Sequence, residues 1–183
     1  LDHTSGIKGI TELQEFGVIV RSLWHRDSAL ALIKRQPPHF APGDAAIYNN
    51  SAFWLLGIVV EKASGMSYEN YVEQRIFAPL GMSRSSYCNS DEVVERRAHG
   101  YRVQGANIHR APMNIHRWPY SAGSLCSTAA DLVTWMKALH GGKVLSKQSY
   151  TEMTTPTKLS DGTPLNYGMG IGVGRDPGGR RFI

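Results

Sequence analysis

The sequence has no apolar run that approaches the roughly 20 residues a helix needs to cross a bilayer, so we expect no membrane segment among its 183 residues. It also lacks internal repeats and low-complexity stretches, which argues against repeat and disordered classes. The chain starts at Leu1, and no basic stretch leading into an apolar one follows, as a secretory signal would require. We therefore expect the natural N-terminus to lie elsewhere, and the localisation stays unknown.

Cysteine is scarce, and the common metal motifs are missing. Cys88 and Cys126 are too few for a disulfide scaffold, and their pairing cannot be deduced from the sequence. Cys126 lies among small residues in "AGSLCSTAA", which favours a buried free thiol. There is no H-E-x-x-H and no paired C-x-x-C, and the seven histidines do not cluster at ligand spacing. We therefore expect no metal ion.

Charge is sparse as well, since charged residues make up 19% of the chain. The net charge of +5 is scattered, and the densest cationic groups, Arg96-Arg97 and Arg180-Arg181, are two residues long. Nucleic-acid surfaces usually concentrate lysine and arginine on one face or helix. We expect no nucleic-acid partner.

The first half of the chain contains signals for three helices. Asp27 is placed to cap a helix over "SALALIKRQ", which the prolines after Gln36 would end. Residues 51–64 are apolar on most sides, as in a buried helix, and Gly65 follows at the position where many helices end. Ser67 is placed to cap a third helix, "YENYVEQRIF", ending before Pro79.

The second half mixes short strands with two helices. "AHGYRV" and "NIHRAP" are candidate strands, and "NYGMGIGVG" is typical of a strand broken by glycines. Thr128 and Asp131 form a capping box before "LVTWMKALH", and Ser146 is placed to cap a short last helix to Met153. Four apolar residues share one side of the capped helix, at spacings of three and four: Leu132, Trp135, Met136 and Leu139. The fold class we expect is mainly α with a few short strands.

One short motif carries chemistry, "YNN" at the start of the buried helix. Tyr48 and Asn50 are two residues apart, so in an extended segment their side chains point to the same side. A phenol there can move a proton during acyl transfer, if cations bring its pKa down from about 10. The amide can orient the acyl group of a substrate. The alternative is structural: a buried Tyr48, with Asn50 as the N-cap of the helix.

Several segments, in a common order, together resemble the serine β-lactamase-like family of class C β-lactamases, DD-peptidases and related esterases. "LDHTSGI" is similar to its leucine-x-HTSG segment, and "FAPGDAAIYNNSAFWLLGIVVEKASGMSYENYVEQRIFAPLGM" to its PG, Y-x-N, LLG and PLGM block. "AHGY", "SAGSLCSTAADLVTWMKAL" and "YGMGIGV" resemble later landmarks. The resemblance spans nearly the whole chain.

This resemblance implies the helical subdomain, and part of the sheet, of a β-lactamase and penicillin-binding (α+β) fold. Residues 1–183 would be a single partial domain, truncated at both ends, whose partners include the remaining parts of the parent domain. The implied activity is serine hydrolysis through an acyl-enzyme, on a β-lactam, an ester or a D-amino-acid peptide, without a cofactor. Tyr48 and Asn50 would take the roles of the family's Y-x-N motif.

Two other matches are expected to be coincidental. Ser5 and Lys8 form the only S-x-x-K in the chain, but the family's catalytic S-x-x-K lies on a helix before HTSG. Gly6 and Gly9 each disfavour a helix by about 1 kcal/mol relative to alanine, so we expect a turn instead. His140 begins an H-x-G by letter, yet it stands at the end of a predicted helix. The fragment alone is expected to be inactive, and a non-catalytic binding or sensor module of the same fold stays open as an alternative.

Overall fold

The computed structural model describes residues 1–19, 25–88, 91–112, 115, 116 and 118–183. The α-helices in chain order are α1 (Phe16–Ile19), α2 (Arg26–Arg35), α3 (Asn50–Ser64), α4 (Tyr68–Val72), α5 (Ala78–Leu80), α6 (Ala129–His140) and α7 (Lys147–Met153). The strands are β1 (Ser86–Tyr87), β2 (Tyr101–Gln104), β3 (Asn107–Arg110), β4 (Leu125–Cys126), β5 (Gly174–Arg175) and β6 (Arg181–Phe182). Single 3-10 turns cover Ile10–Glu12 and Tyr120–Ala122. The mainly α class with short strands is confirmed.

Helix α3 starts and ends where local chemistry places its caps. The side chain of Asn49, not Asn50, accepts a hydrogen bond from the backbone N–H of Ala52 at 2.8 Å. Gly65 closes the helix in the left-handed conformation, with φ +72°, which only glycine adopts without strain. The structural alternative for Asn50 as the N-cap is therefore wrong by one residue.

Two helix boundaries differ from the sequence prediction. Helix α2 begins at Arg26, so Asp27 lies in the first turn rather than at the cap, where its charge still favours the positive end of the helix. Pro79 does not end the third predicted helix, because it lies inside α5. A π-helical turn, Glu73–Phe77, leads into α5, and in the first turn of a new helical segment the missing N–H of a proline costs little.

Thr128 caps helix α6 as predicted, but the carboxylate of Asp131, the other member of the predicted capping box, has a different role. Thr128 accepts a hydrogen bond from the backbone N–H of Asp131 at 3.2 Å. The Asp131 carboxylate is buried and accepts hydrogen bonds from the Arg84 N–H at 2.9 Å and the Ser85 hydroxyl at 2.8 Å. Instead of reaching back to Thr128, Asp131 joins α6 to the segment that follows α5.

The described strands form three antiparallel pairs of two. The two candidate strands are present as β2 and β3, and they pair as a hairpin, with Tyr101 opposite Arg110 and Gln104 opposite Asn107. Strand β1 pairs with β4, and β5 with β6. The glycine-broken strand over "NYGMGIGVG" is not continuous, because only a single bridge joins Tyr167 to Gly172. Glycines contribute no side-chain packing to a strand, so this segment turns instead.

Apolar packing is divided between two clusters. In the first, Trp54 of α3 packs edge-on against Tyr120, with ring centroids 5.5 Å apart, beside Ala29 and Ile33 of α2. In the second, Val72, Phe77 and Met82 are buried, with Trp135 packed against them. The apolar side predicted for α6 is only half buried, since Leu139 is 5% exposed, whereas Leu132 is 52% and Met136 45% exposed.

The Glu61 carboxylate, near the end of α3, connects distant parts of the first cluster. It forms a two-pronged ion pair with Arg26 of α2, at 3.1 and 2.5 Å, and accepts hydrogen bonds from the Tyr120 hydroxyl at 2.7 Å and the Tyr68 N–H at 2.9 Å. Burial opposes ionisation of Glu61, but these hydrogen bonds outweigh it, so its pKa lies below the usual value. Burial and the bond to Glu61 raise the pKa of Tyr120 far above its usual value.

Cys88 and Cys126 form a disulfide, with Cα atoms 5.4 Å apart. The expectation of a free thiol at Cys126 is therefore wrong. The cause is non-local: β1 pairs with β4, and the Cys88 N–H donates to the Ser124 carbonyl at 2.8 Å, which brings the two cysteines side by side. Such pairing cannot be read from the spacing of two cysteines.

None of the helices in the described part of the chain combines the length and the apolar character that crossing a membrane requires.

We predict that Glu61→Ala lowers the free energy of unfolding by about 2 kcal/mol, because three donors lose a charged acceptor. Urea unfolding followed by circular dichroism measures the change. Glu95→Ala is the matched control, since Glu95 lies 3.7 Å from Arg96 in a pair that is exposed on both sides. It should change the free energy by less than about 0.5 kcal/mol. Equal effects of the two substitutions would contradict the role of Glu61.

We also predict that dithiothreitol lowers the free energy of unfolding by about 3 kcal/mol, because reduction releases the restriction on the unfolded chain between two cysteines 38 residues apart. The same urea experiment, with and without reductant, measures the change. A Cys88→Ser, Cys126→Ser double variant should be less stable than the oxidised protein and insensitive to reductant. A wild type that ignores reductant would show that no disulfide contributes.

Candidate active site

The Y-x-N residues lie at the N-terminus of α3. Tyr48 precedes the helix and is 69% exposed, whereas Asn50 is the first helical residue. Asn49 between them has an extended backbone, with φ −144° and ψ 108°, which the spacing argument requires. The two side chains nevertheless have different neighbours. Tyr48 contacts the ring of His3, and Asn50 borders an apolar pocket that Trp54 and Trp118 also line.

The segment 1–7 is a loop joined to the chain before Tyr48 by main-chain hydrogen bonds. The His39 N–H donates to the Gly6 carbonyl at 2.8 Å, the Gly43 N–H to Thr4 at 2.9 Å and the Ile47 N–H to His3 at 3.1 Å. These hydrogen bonds hold the backbone of the segment that leads to Tyr48 against residues 3–6.

The turn expected around Ser5 is present. The Ser5 hydroxyl accepts a hydrogen bond from the Ile7 N–H at 3.3 Å, and Gly6 has φ +69°. Residues 5–8 are not helical, so Ser5 and Lys8 do not share the helix face that an S-x-x-K pair needs. Asp2 completes the turn, because it accepts hydrogen bonds from the Thr4 hydroxyl at 2.7 Å and the Thr157 hydroxyl at 3.1 Å.

His3 is the residue that reasoning from composition and spacing missed. Its Nδ1 atom accepts a hydrogen bond from the backbone N–H of Asn49 at 3.1 Å. Its ring lies against three aromatic rings, with centroids 4.6 Å from Tyr48, 4.8 Å from Phe53 and 5.3 Å from Tyr167. The only signal for it in the sequence was its place in the HTSG segment.

Burial sets the protonation of the groups around Tyr48. It lowers the pKa of His3, because the charged imidazolium loses solvation among aromatic rings, although the Asp2 carboxylate partly opposes the shift. Burial, with a smaller contribution from Tyr48, raises the pKa of Tyr167. At neutral pH the surroundings of Tyr48 therefore contain an uncharged imidazole and an uncharged phenol.

The remaining candidates are accounted for by structure. His140 lies at the exposed end of α6, where its Nδ1 atom is 2.6 Å from the Tyr150 hydroxyl, and it is not on a strand. Ligand atoms of Cys88, His116 and Cys126 lie within 4.8 Å of one another, a cluster the sequence did not reveal. Because both sulfur atoms are already in a disulfide, this cluster does not offer a thiolate ligand set.

Comparison with known proteins identifies the family. The family model described as Beta-lactamase matches residues 1–183. The chain belongs to the Beta-lactamase family. Among curated relatives, PbpX of Bacillus subtilis, which carries a penicillin-binding protein name, is 32% identical over 173 residues, and the D-aminopeptidase of Brucella ovis is 28% identical over 169 residues. The resemblance inferred from the sequence motifs is confirmed.

The fold agrees with that of solved members. A D-stereospecific amidohydrolase from Streptomyces sp. superimposes with a TM-score of 0.81 at 29% identity, over 99% of this chain and 57% of that one. The match to PbpX covers 94% of this chain and 41% of PbpX, and the match to the D-aminopeptidase covers 91% and 32%. The chain thus spans less than half the length of these curated Beta-lactamase relatives. The (α+β) fold of the family is confirmed.

We predict that Gly6→Ala lowers the free energy of unfolding by more than the left-handed backbone conformation of Gly6 alone explains. A Cβ atom at Gly6 would lie 2.0 Å from the Phe40 carbonyl oxygen, so the main-chain pairing must open. Gly105→Ala is the matched control, because Gly105 has a similar φ of +61° but no heavy atom within 4 Å of the added carbon.

Both substitutions should cost about 1–2 kcal/mol from the left-handed backbone, and Gly6→Ala should cost at least about 1 kcal/mol more, as expected for overpacking. Urea unfolding gives both values. Equal losses would contradict the close contact.

Proposed function

We propose that the whole protein is a serine hydrolase that cleaves an amide bond of a D-amino-acid substrate through an acyl-enzyme. The observation that carries the proposal is the Tyr48-Asn49-Asn50 motif at the start of α3, with an exposed phenol held against the HTSG loop. In this proposal Tyr48 moves the proton and Asn50 orients the acyl group. The named activities of the D-aminopeptidase and the D-stereospecific amidohydrolase support the choice of substrate.

The proposed reaction has two balanced steps. A serine oxygen attacks the amide carbonyl, its proton passes through Tyr48 to the leaving nitrogen, and the C–N bond breaks to give an ester and a free amine. Water then attacks the ester carbonyl, one proton of the water passes through Tyr48 to the serine oxygen, the ester C–O bond breaks, and the carboxylic acid leaves. Ser5 is a poor nucleophile for this scheme, because its turn lacks helical geometry and its hydroxyl already accepts the Ile7 N–H. We assign the nucleophile to another part of the protein.

The nature of the substrate is the finer part of the proposal. The amide of a small D-amino acid is the first choice, and a β-lactam or an ester would use the same carbonyl chemistry. The penicillin-binding name of PbpX supports the β-lactam as the competing substrate. A non-catalytic binding or sensor module of the same fold would bind these molecules without turnover.

We predict that Tyr48→Phe lowers kcat at least 100-fold for D-alanine p-nitroanilide in the full-length protein, because general acid–base groups contribute about 10²–10⁴-fold. The matched control is Tyr101→Phe, since Tyr101 is 65% exposed on the β2–β3 hairpin and Tyr48 is 69% exposed. The control should keep kcat within twofold.

The other outcomes are informative as well. A Tyr48→Phe variant with more than a third of wild-type kcat would remove Tyr48 from the mechanism. Turnover of nitrocefin in place of the D-amino-acid amide would select the β-lactam. Binding of either compound without turnover by the wild type would favour the sensor module. Loss of activity in Ser5→Ala would restore Ser5 as the nucleophile.

A further inference from the structure

We propose that His3 is a positioning residue for Tyr48, which it holds by two hydrogen bonds to the neighbouring residues and by contact with the phenol ring. The inference rests on the proposed role of Tyr48 in proton transfer.

The two hydrogen bonds bracket Tyr48 in the sequence. The N–H of Ile47 donates to the His3 carbonyl at 3.1 Å, and the N–H of Asn49 donates to the His3 Nδ1 atom at 3.1 Å. One residue therefore receives the main-chain donors immediately before and after Tyr48. With both peptide groups held, the Cα–Cβ direction of Tyr48 is determined by His3.

The ring contact limits how the Tyr48 side chain turns. Although Tyr48 is largely exposed, its ring centroid is 4.6 Å from that of His3, with a 42° angle between the planes. The His3 ring also lies against Phe53, with ring centroids 4.8 Å apart, and against Tyr167, with centroids 5.3 Å apart. The His3 imidazole is thus fixed by its neighbours, and the exposed Tyr48 phenol packs against it.

Geometry also determines the protonation state that this arrangement needs. A backbone N–H always donates, so Nδ1 of His3 must be unprotonated to accept from Asn49, and the ring proton resides on Nε2. Nε2 is buried and has no hydrogen-bond partner among the described residues. Protonation of Nδ1 would turn two N–H groups toward each other and remove the Asn49 bond.

The groups around His3 do not compensate a charge on the ring. The aromatic rings of Tyr48, Phe53 and Tyr167 lie against it. In the described part of the chain, the charged amine of Leu1 disfavours a positive charge on the ring, and the Asp2 carboxylate, which favours one, already accepts hydrogen bonds from Thr4 and Thr157. As the pH falls through the pKa of His3, which burial has lowered, the positioning of Tyr48 should be lost. Activity should therefore fall on the acid side.

Two substitutions of His3 can distinguish the effect of its hydrogen bond with Asn49 from the effect of its ring contact with Tyr48, and the backbone conformation of His3 determines which residues are suitable. His3 has φ +65°, a left-handed conformation that asparagine tolerates better than most residues. The Oδ1 atom of asparagine stands where Nδ1 of histidine stands, and it does not titrate. His3→Asn therefore keeps the acceptor without the ring, and His3→Phe keeps a ring without the acceptor.

The test measures kcat and KM for D-alanine p-nitroanilide from pH 4 to 9 in the full-length protein and in both variants, each normalised to the folded fraction from urea unfolding. We expect His3→Phe to lose 10- to 100-fold in kcat with KM within threefold. His3→Asn should recover kcat to within threefold of wild type and should lack the acid limb of the wild-type profile. His109→Asn, an exposed histidine on β3, is the control and should leave the whole profile unchanged.

A purely structural His3 would change the folded fraction and leave kcat per folded molecule and the acid limb as in the wild type, which would overturn the inference. If Tyr48→Phe is fully active, or if the wild type shows no turnover, the proposed function fails first. In that case ¹⁵N spectra of the uniformly labelled wild type still decide whether His3 has the required tautomer. An Nε2–H tautomer whose protonation shifts the Asn49 amide supports the inference, and an Nδ1–H tautomer overturns it.

Discussion

The Glu61 carboxylate is the contact on which the first cluster depends. It is bonded to Arg26 of α2, to Tyr68 at the start of α4 and to Tyr120, residues separated by up to 94 positions in the chain. Tyr120 has φ +46°, a left-handed conformation that costs free energy in a residue other than glycine. The bond to Glu61, the Arg26 guanidinium 4.6 Å above the ring and the edge-on contact with Trp54 together offset this cost.

Helix α3 carries this network at one end and the candidate site at the other. Near its start, the buried Ser51 hydroxyl accepts the Ile10 N–H at 2.8 Å, and the Asn49 amide donates to the Ile7 carbonyl. The HTSG loop is thereby attached to the same helix that Glu61 joins to α2 and α4. The candidate site is held by a helix and a short loop, an arrangement that fixes the positions of its side chains.

Local signals in the sequence were sufficient where a feature depends on nearby residues. Ser67, Thr128 and Ser146 cap their helices as predicted, with the expected hydrogen bonds from Asn70, Asp131 and Ser149. Features that depend on contacts between distant residues could not be predicted from the sequence. The disulfide follows from pairing of β1 with β4, and the partial exposure of α6 depends on which elements cover it.

The candidate site shows the same division. Tyr48 and Asn50 were found from the motif, but the packing of His3 was not, because the rings meet across 45 residues of chain. The catalytic roles of Tyr48 and Asn50 stay predictions.

The loop that resembles a nucleophile motif has a different use, and its residues explain why. Gly6 is needed because its backbone is left-handed and passes against the Phe40 carbonyl, and Ser5 is needed because its hydroxyl accepts the Ile7 N–H. Both features oppose the helix that would bring Ser5 and Lys8 together. They are also the features that allow Thr4, Gly6 and His3 to receive main-chain hydrogen bonds from residues 39–47. The residues that keep Ser5 and Lys8 out of a helix are therefore those that put His3 beneath Tyr48.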